Sequence, residues 1–571
     1  MPDGRVADAS LRQAAAFVRG LVAAGLTEAV LSPGSRSTPL ALACLRQPGL
    51  TSRVAVDERS AAFLALGIAR GAAAPVAVVA TSGSAPAHWH PAVIEADATG
   101  VPMVLVSADR PAELVGWGAN QTTDQTQLFG RHVRAYHSLP PADAGHDAAF
   151  PGALGARCVE ESLWPVPGPV HVNAAFREPL VSSAQAEGLA VEVRAYEPPR
   201  LLAGAGQVGR VAARLSGRPG LVVCGPGPLE ASAAEGVVAL AEALDCPVLA
   251  DPVSGLRFGP SASGRVLARY DAFLRQEAFA AAHAPEWVLQ VGPLPVSRVL
   301  LEYLSRHAAA ALVTLDRHGR WADPGHRAVE RVWASLEGFT GALLGEGLAP
   351  APSGWSEAFR RAEDRAAELA GSPGAAHRPL EAEVVATVLS GLPAGATVFC
   401  GNSLPVRQVD TWSGTGTRPL RFMASRGVSG IDGQVSTLAG LAAAGARPAV
   451  GLLGDLALYH DMNGLALVRG LPVVLVVLNN GGGGIFEYLP QAALPEFEHG
   501  WLTPLALDLA RVADLYALAF ARVQTAEGLA PVLEAALAGS GPALVEVMID
   551  RRASVARHRD YWSRVAAGPG G

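Results

Sequence analysis

Short, uninterrupted apolar runs rich in valine recur along the chain and alternate with longer Ala/Leu segments of helical period. Runs of that kind mark strands buried on both faces. Their alternation with helical segments predicts α/β layers built on mainly parallel sheets flanked by helices. In the first part the pattern predicts strands near Thr27 to Leu31, Pro75 to Thr81, Val101 to Ser107 and Pro169 to Asn173. A polar, proline-containing stretch from about Ser182 to Gly206 reads as a linker. A second block opens with Leu221 to Cys224 and continues through Pro247 to Ala250, Trp287 to Val291 and Ala311 to Leu315. The string GSPGAAHRP, Gly371 to Pro379, marks another boundary. Beyond it come strands near Thr397 to Cys400, Ala449 to Leu453, Val473 to Leu478 and Ala543 to Ile549. The expected organisation is three α/β domains of similar size, spanning 1–183, 200–350 and 378–571.

Composition narrows the function classes. With 571 residues, 50% of them hydrophobic and 17% charged, the chain can bury large cores, which excludes disorder and a small disulfide scaffold. No apolar run approaches the roughly 18 residues of a membrane span. The first thirty residues carry Asp3, Arg5, Asp8, Arg12, Arg19 and Glu28 without a separate apolar segment, so no signal peptide is expected and the chain reads as cytoplasmic. The five cysteines are scattered without a CxxC, as expected for buried thiols in a reducing compartment. A net charge of −7 gives no basic surface for nucleic acid. More restrictive is the absence of lysine: all 45 basic residues are arginine. That excludes Schiff-base chemistry, pyridoxal phosphate anchoring and a Walker A phosphate site. Anionic substrates must be held by arginine, backbone amides, helix ends or a metal.

Two glycine-rich turns compete for a phosphate. In the middle block, LVVC is followed by Gly225-Pro-Gly227-Pro-Leu-Glu230, a GxGxx pattern with glutamate at the third glycine position of a dinucleotide site. A structural turn is the better reading. In the third block one strand ends at Gly454-Asp455, a helical stretch is expected from about Asp461 to Arg469, and the next strand ends at Asn479-Asn480-Gly481-Gly482. A right-handed β-α-β crossover puts both strand ends on one sheet rim, where α/β folds bind ligands. Asp455 offers a carboxylate oxygen, Asn480 an amide oxygen and Gly482 a backbone carbonyl. These hard donors suit Mg²⁺ with positions left for phosphate oxygens. Singly, Gly-Asp is an ordinary helix cap and Asn-Asn-Gly an ordinary turn.

Together, 25 positions apart, they resemble the GD…NN metal–diphosphate motif of thiamine diphosphate enzymes, with GDL here where many members have GDG. That resemblance implies a catalytic glutamate against N1′ of the aminopyrimidine. Glu58, in VAVDERSAAFLALG between an apolar strand and a helix, is the candidate; otherwise it would read as a helix N-terminal carboxylate. An apolar surrounding would favour its protonated form.

Further strings make the resemblance specific. SPGSRSTPLAL from Ser32, DERSAAFLALG from Asp57, TSGSA from Thr81 with PAVIEA following, SADRP from Ser107 and GANQ from Gly118 lie in the first block. GNSLPVR from Gly401, RGVSGIDG from Arg426, GDLALYHDMNGLAL from Gly454 and NNGGGGIFEYLP from Asn479 lie in the third. In this order they resemble the 2-succinyl-5-enolpyruvyl-6-hydroxy-3-cyclohexene-1-carboxylate synthases of menaquinone biosynthesis; the middle block is similar mainly in layout. The resemblance implies a three-domain thiamine diphosphate-binding fold. It also implies a transferase that decarboxylates 2-oxoglutarate and adds the succinyl carbanion to isochorismate in a 1,4 manner, with thiamine diphosphate and Mg²⁺ or Mn²⁺. Both substrates are dianions, which a chain without lysine must bind through arginine.

Carried over by motif, Ser35, Arg36, Arg110, Asn120 and Gln121 would face isochorismate. Ser403, Arg407 and Arg426 would face the oxoglutarate-derived part. Ile431 would prop the cofactor, beside Gly454, Asp455 and Asn480, and Ile485, Phe486 and Leu489 would form an apolar wall. Where relatives carry Lys-Arg in the middle domain, this chain reads Ser297-Arg298, leaving Arg298 to carry that contact. His88, Trp89 and His90 also depart from the family pattern; histidines at i, i+2 do not share a helix face, so they make a poor metal pair. The resemblance further implies a homodimer or homotetramer in which the halves of a site come from different subunits. Two rivals stay open: another thiamine enzyme, such as an acetohydroxyacid synthase or a 2-oxoacid decarboxylase, and a dinucleotide-binding or regulatory protein using Gly225 to Gly227.

Overall fold

A computed structural model describes residues 4–142, 149–182, 198–371 and 379–567. Most of the expected linker at Ser182 to Gly206 and of the boundary at Gly371 to Pro379 lies outside the described residues. Among the described residues, eighteen strands form three six-stranded sheets in which every pairing is parallel. The first contains Glu28–Leu31 (β1), Thr51–Val54 (β2), Val76–Ala80 (β3), Met103–Asp109 (β4), Tyr136–Leu139 (β5) and Pro169–Ala175 (β6), in the order β2-β1-β3-β4-β6-β5. The second contains Gly220–Cys224 (β7), Val248–Ala250 (β8), Val266–Leu267 (β9), Trp287–Val291 (β10), Ala311–Leu315 (β11) and Ala328–Val332 (β12), ordered β12-β11-β10-β7-β8-β9. The third contains Thr397–Cys400 (β13), Arg421–Met423 (β14), Ala449–Gly454 (β15), Val473–Asn479 (β16), Ala519–Val523 (β17) and Ala543–Met548 (β18), ordered β14-β13-β15-β16-β18-β17. The first and third sheets therefore share one strand order, whereas the second follows the doubly wound order of dinucleotide-binding folds.

The chain divides into two compact units. One comprises Met1–Pro199, Ser425–Ala446 and His460–Leu471; the other comprises Arg200–Ala424, Arg447–Tyr459 and Pro472–Gly571. In the first unit, Phe17, Leu31, Val79, Val106 and Val172 belong to one buried core beneath the sheet. In the second, a continuous core joins Leu221, Val223 and Leu249 of the second sheet to Val398, Leu452 and Val476 of the third.

The crossover between β15 and β16 differs from expectation. The α-helix is Asp455–His460, starting directly at the strand end, and Met462–Val468 is a 3₁₀ segment. Asp461 ends the helix: its buried carboxylate accepts hydrogen bonds from the Ser436 backbone N–H (2.7 Å) and Ser436 Oγ (3.0 Å). Gly464 then passes Ser436 so closely that a Cβ would lie 2.6 Å from Ser436 Oγ, which leaves glycine alone able to fit.

Candidate active site

In the second unit, the register of β15 on β16 pairs Gly454 with Leu478, so Asp455 and the Asn479–Gly482 turn meet at one rim of the third sheet. The two asparagines do different work. Asn479 is structural: its Nδ2 donates to Glu546 (2.7 Å) and its Oδ1 accepts from the Gly481 N–H (3.1 Å). Asn480 instead keeps its Oδ1 buried with no hydrogen-bond partner. A buried acceptor left unmade costs about 1–3 kcal/mol, so an occupant that accepts its lone pair is the economical explanation. Asp455 is buried, and burial pushes its carboxyl up to about 6, although the N–H groups of Leu456 and Gly482 hold it down in part. Gly482 has φ +127°, and a Cβ there would lie 2.1 Å from the Leu502 carbonyl. The donor set of a carboxylate, an unsatisfied amide oxygen and a glycine carbonyl fits a divalent ion carrying a diphosphate.

The apolar residues expected beside that turn follow it directly. Ile485 and Phe486 lie in the 3₁₀ segment Gly484–Tyr488, with Leu489 at its end, and all three are half-buried. The C-terminal helix Arg551–Ala566 holds this segment: Arg551 pairs with Glu487 (2.6 Å) and donates to the Asn480 carbonyl (3.3 Å), and Tyr488 bonds His558 (3.1 Å). Ser403 opens the helix Leu404–Trp412 with φ +69° and ψ −124°, a conformation that costs a non-glycine residue about 1–3 kcal/mol. Its carbonyl accepts from Arg407 (2.6 Å), which is exposed. Arg298 is 82% exposed and pairs with Glu302 on its own helix, while Ser297 caps that helix and donates to Asp271 (2.7 Å).

In the first unit, Arg36 and Arg110 share a neighbourhood. Arg36 is buried and donates to the Phe176 carbonyl (2.9 Å) and to Glu178 (3.0 Å), leaving its Nε buried without a partner. Arg110 bonds Ser82 Oγ and the Gln121 carbonyl; burial and the nearby Arg36 charge lower its pKa against the pull of Asp109 and Glu178. Two guanidiniums that repel one another in a partly desolvated place form a site prepared for an anion. Gln121 adopts φ +53° and donates to the Ser82 carbonyl (3.1 Å), and both Asn120 and Ser35 are exposed. Beneath them Gln125, Asn173, Ser107, His171 and Asp109 form a buried hydrogen-bonded network that holds the ends of β4 and β6.

Glu58, half-buried, is the first residue of the helix Glu58–Ala72. Its neighbours fix it: Asp57 caps the helix through the Arg59 and Ser60 N–H groups and accepts from Asn463 (3.0 Å), and Arg59 donates to the His460 carbonyl (3.0 Å). The preceding strand β2 is a largely exposed edge strand, so the apolar strand expected before Glu58 is not what precedes it. Arg426 and Ile431 belong to this unit too, both half-buried in the turn before the helix Gln434–Ala443. Trp89 is fully buried against Phe129, His88 is exposed and His90 lies against Phe129 and His132.

Comparison with known proteins agrees with this geometry. Residues 11–128 match the thiamine pyrophosphate enzyme N-terminal TPP binding domain, and 408–547 match the corresponding C-terminal TPP binding domain. A 2-succinyl-5-enolpyruvyl-6-hydroxy-3-cyclohexene-1-carboxylate synthase from Dechloromonas aromatica is 43% identical over 93% of this chain and 97% of its own length. The chain belongs to this synthase family. Synthases of the same name from Chloroflexus aurantiacus (41% identical, 97% of this chain, 96% of its own) and Geobacillus kaustophilus (40%, 98% and 99%) are similar over equal extents.

Within the synthase family, the Gly225 turn has a steric explanation. A Cβ at Gly225 would lie 1.6 Å from the Pro293 carbonyl, and Gly227 needs φ +129°. Glu230 stands at the N-cap of the following helix, where its charge opposes a bound phosphate. All five cysteines are buried and free, with burial raising their thiol pKa values. No described helix is long and apolar enough to cross a membrane. Sequence reasoning missed Glu546, Arg551 and Gln125, which position candidate residues without appearing in a motif of their own, and gave no role to Ser82, although TSGSA contains it.

Proposed function

We infer that this chain is a thiamine diphosphate-dependent carboligase that decarboxylates 2-oxoglutarate and transfers the succinyl unit by 1,4-addition to isochorismate. It gives 2-succinyl-5-enolpyruvyl-6-hydroxy-3-cyclohexene-1-carboxylate and CO₂ in menaquinone biosynthesis. The observation that carries this reading is the meeting of Asp455, the partnerless Asn480 Oδ1 and Gly482 at one sheet rim, in a chain that near full-length synthases resemble at 40–43% identity. Thiamine diphosphate supplies the electron sink that lets an oxo acid lose CO₂ and its acyl carbon act as a nucleophile. The protein supplies position and charge. Asp455, Asn480 and Gly482 would hold Mg²⁺ (or Mn²⁺), with Gly454 next to the diphosphate. Glu58 would share a proton with N1′ of the aminopyrimidine, and Ile431 would support the bent cofactor. Arg36 and Arg110, with Ser35, Asn120 and Gln121, would bind the isochorismate carboxylates. Ser403, Arg407 and Arg426, with Arg298 as a further cation, would bind the oxoglutarate-derived portion. Ile485, Phe486 and Leu489 would exclude water. The enzyme is proposed to act in the cytoplasm as a homodimer or homotetramer.

The deciding assay incubates the protein with 2-oxoglutarate, isochorismate, thiamine diphosphate and Mg²⁺ and follows CO₂ release and adduct formation together. Adduct formation that needs all four components is expected. Turnover of pyruvate with none of 2-oxoglutarate would overturn the substrate assignment. An active, monodisperse monomer in sedimentation would overturn the assembly.

A further inference from the structure

The helix His90–Thr99 of the first unit ends in a close seat for the turn that carries Arg426. Glu95, 2% exposed, points both carboxylate oxygens at that turn. Oε1 accepts from the Gly427 N–H (2.9 Å) and Oε2 from the Val428 N–H (2.8 Å). The contact is close along its whole length. A Cβ on Gly427 would lie 2.8 Å from the Ala98 Cβ, 2.9 Å from Thr99 Cγ2 and 3.0 Å from the Glu95 carbonyl. Two residues on, Ser429 adopts φ +60°, so the backbone is bent sharply where the carboxylate grips it. The opposite side of the helix is anchored as well, since Asp97 pairs with Arg134 (2.5 Å) and His132 (2.9 Å).

A buried carboxylate is costly unless its oxygens are taken up by donors and nearby cations. Here the donors are the two peptide N–H groups immediately after Arg426, and the cations acting on Glu95 are Arg70 and Arg426. One acid therefore fixes both the peptide that follows Arg426 and the charge environment of its guanidinium.

We propose that Glu95 is the positioning residue for Arg426, fixing the turn so that the guanidinium is presented in one orientation to the carboxylate of the oxo acid. The proposal rests on the assignment of Arg426 to the oxoglutarate-derived portion of substrate. Glu95 is buried with both carboxylate oxygens on the turn, so its role would be exerted through Arg426. Its effect is on how well Arg426 is pre-organised, and preorganisation of a charged donor is worth more than its mere presence.

The test is a double-mutant cycle in the full-length enzyme, with KM for 2-oxoglutarate, KM for isochorismate and thiamine diphosphate affinity measured separately. Glu95→Gln keeps one acceptor but turns an amide NH₂ toward a peptide N–H. It should raise KM for 2-oxoglutarate about tenfold while leaving KM for isochorismate and cofactor affinity within about twofold. Gly427→Ala, which lifts the turn off the helix without altering the acid, should reproduce the same pattern and serves if Glu95→Gln folds poorly. In an Arg426→Ala background, Glu95→Gln should add less than about twofold, because the two changes act through one contact. Additive effects, or an equal rise in all three constants, would overturn the positioning role while leaving the assignment of Arg426 intact. An Arg426→Ala enzyme with unchanged KM for 2-oxoglutarate would instead overturn that assignment.

Discussion

Replacing Arg257 by methionine should loosen the helix Leu404–Trp412, which begins beside Ser403 and carries Arg407. Arg257 is 1% exposed and belongs to the second sheet's surroundings, yet its guanidinium reaches into that helix. Nε donates to the Ala250 carbonyl (2.7 Å), Nη1 to the Asp410 carbonyl (2.9 Å) and Ser413 Oγ (3.2 Å), and Nη2 to Tyr270 (3.3 Å) and the Asp410 carboxylate. Burial works against the Arg257 charge, but Asp410 outweighs it and raises its pKa; burial pushes Asp410 up to about 7 against the pull of Arg257. The arginine stays charged, and any proton the pair gains goes to Asp410. Removing one member of a buried pair costs about 3–5 kcal/mol. The lower end applies here, because an orphaned Asp410 can take a proton instead of remaining a naked charge. The expected loss of about 3 kcal/mol corresponds to amide exchange in the helix about 10²-fold faster under conditions where opening is in equilibrium. Hydrogen exchange followed by mass spectrometry reads that change in the helix itself. The double variant Arg257→Met/Asp410→Leu should recover about 1–3 kcal/mol of the loss. Exchange within threefold of wild type in the single variant, or a double variant whose loss is the sum of its parts, would refute the reasoning.

Three other outcomes follow from single residues. Burial pushes Asp461 up to about 6 despite its Ser436 donors, so its stabilising state is the protonated one. That contribution is fully present below the ordinary carboxylate pKa and is lost as pH rises through about 6, a span worth about 3 kcal/mol. Asp461→Asn should therefore raise Tm at pH 8 and leave it nearly unchanged at pH 4; equal shifts at both would contradict this. Glu58→Gln should lower turnover by about 10²–10⁴ while thiamine diphosphate still binds, as titrated by intrinsic fluorescence; full activity would remove Glu58 from its role. Asn480→Ala removes an acceptor that has no partner, so the Tm of the cofactor-free protein should hold or rise. The further Tm gain that Mg²⁺ with thiamine diphosphate confers should disappear, and retention of that gain would argue against Asn480 as a ligand.

The apolar pattern located the four inner strands of each sheet and passed over the two edges. Val76–Ala80 and Thr397–Cys400 are buried at every position, so they read as continuous apolar runs. The strands missed were Thr51–Val54, Tyr136–Leu139, Val266–Leu267, Ala328–Val332, Arg421–Met423 and Ala519–Val523, which are the outermost strands of the three sheets. An edge strand is covered on one side only or is very short. Thr51–Val54 is exposed at both ends, and Val266–Leu267 spans only a pair of residues. Polar substitutions tolerated at such positions erase the run that marks the interior. The crossover after Asp455 was misread for a related reason. The helix expected from about Asp461 to Arg469 instead ends where it was to begin, because Asp461 turns to Ser436, a contact 25 positions away that periodicity does not show.

Candidate site residues stand out in the sequence when their motif also carries the turn that presents them, as in SPGSRS and the Asn479–Gly482 turn, and do not when they act through distant partners. Arginine shows where that limit comes from. With no lysine in the chain, every cation is a planar fork of five donors that can serve either as a core staple or as an anion receptor. Sequence does not separate the two, and neither does burial, since Arg257 and Arg36 are both buried. What separates them is the balance of donors against acceptors. Each guanidinium nitrogen of Arg257 is met by protein oxygens, which is a closed account with nothing left to offer a ligand. Arg36 keeps a buried Nε without a partner, and its charge crowds Arg110 enough to help lower that residue's pKa. Glu178 pairs with the Arg36 charge, but an unmet donor inside a fold still costs stability, which a bound anion would return. An arginine that keeps such a donor, as Arg36 does, is thus the first we would test as a substrate ligand.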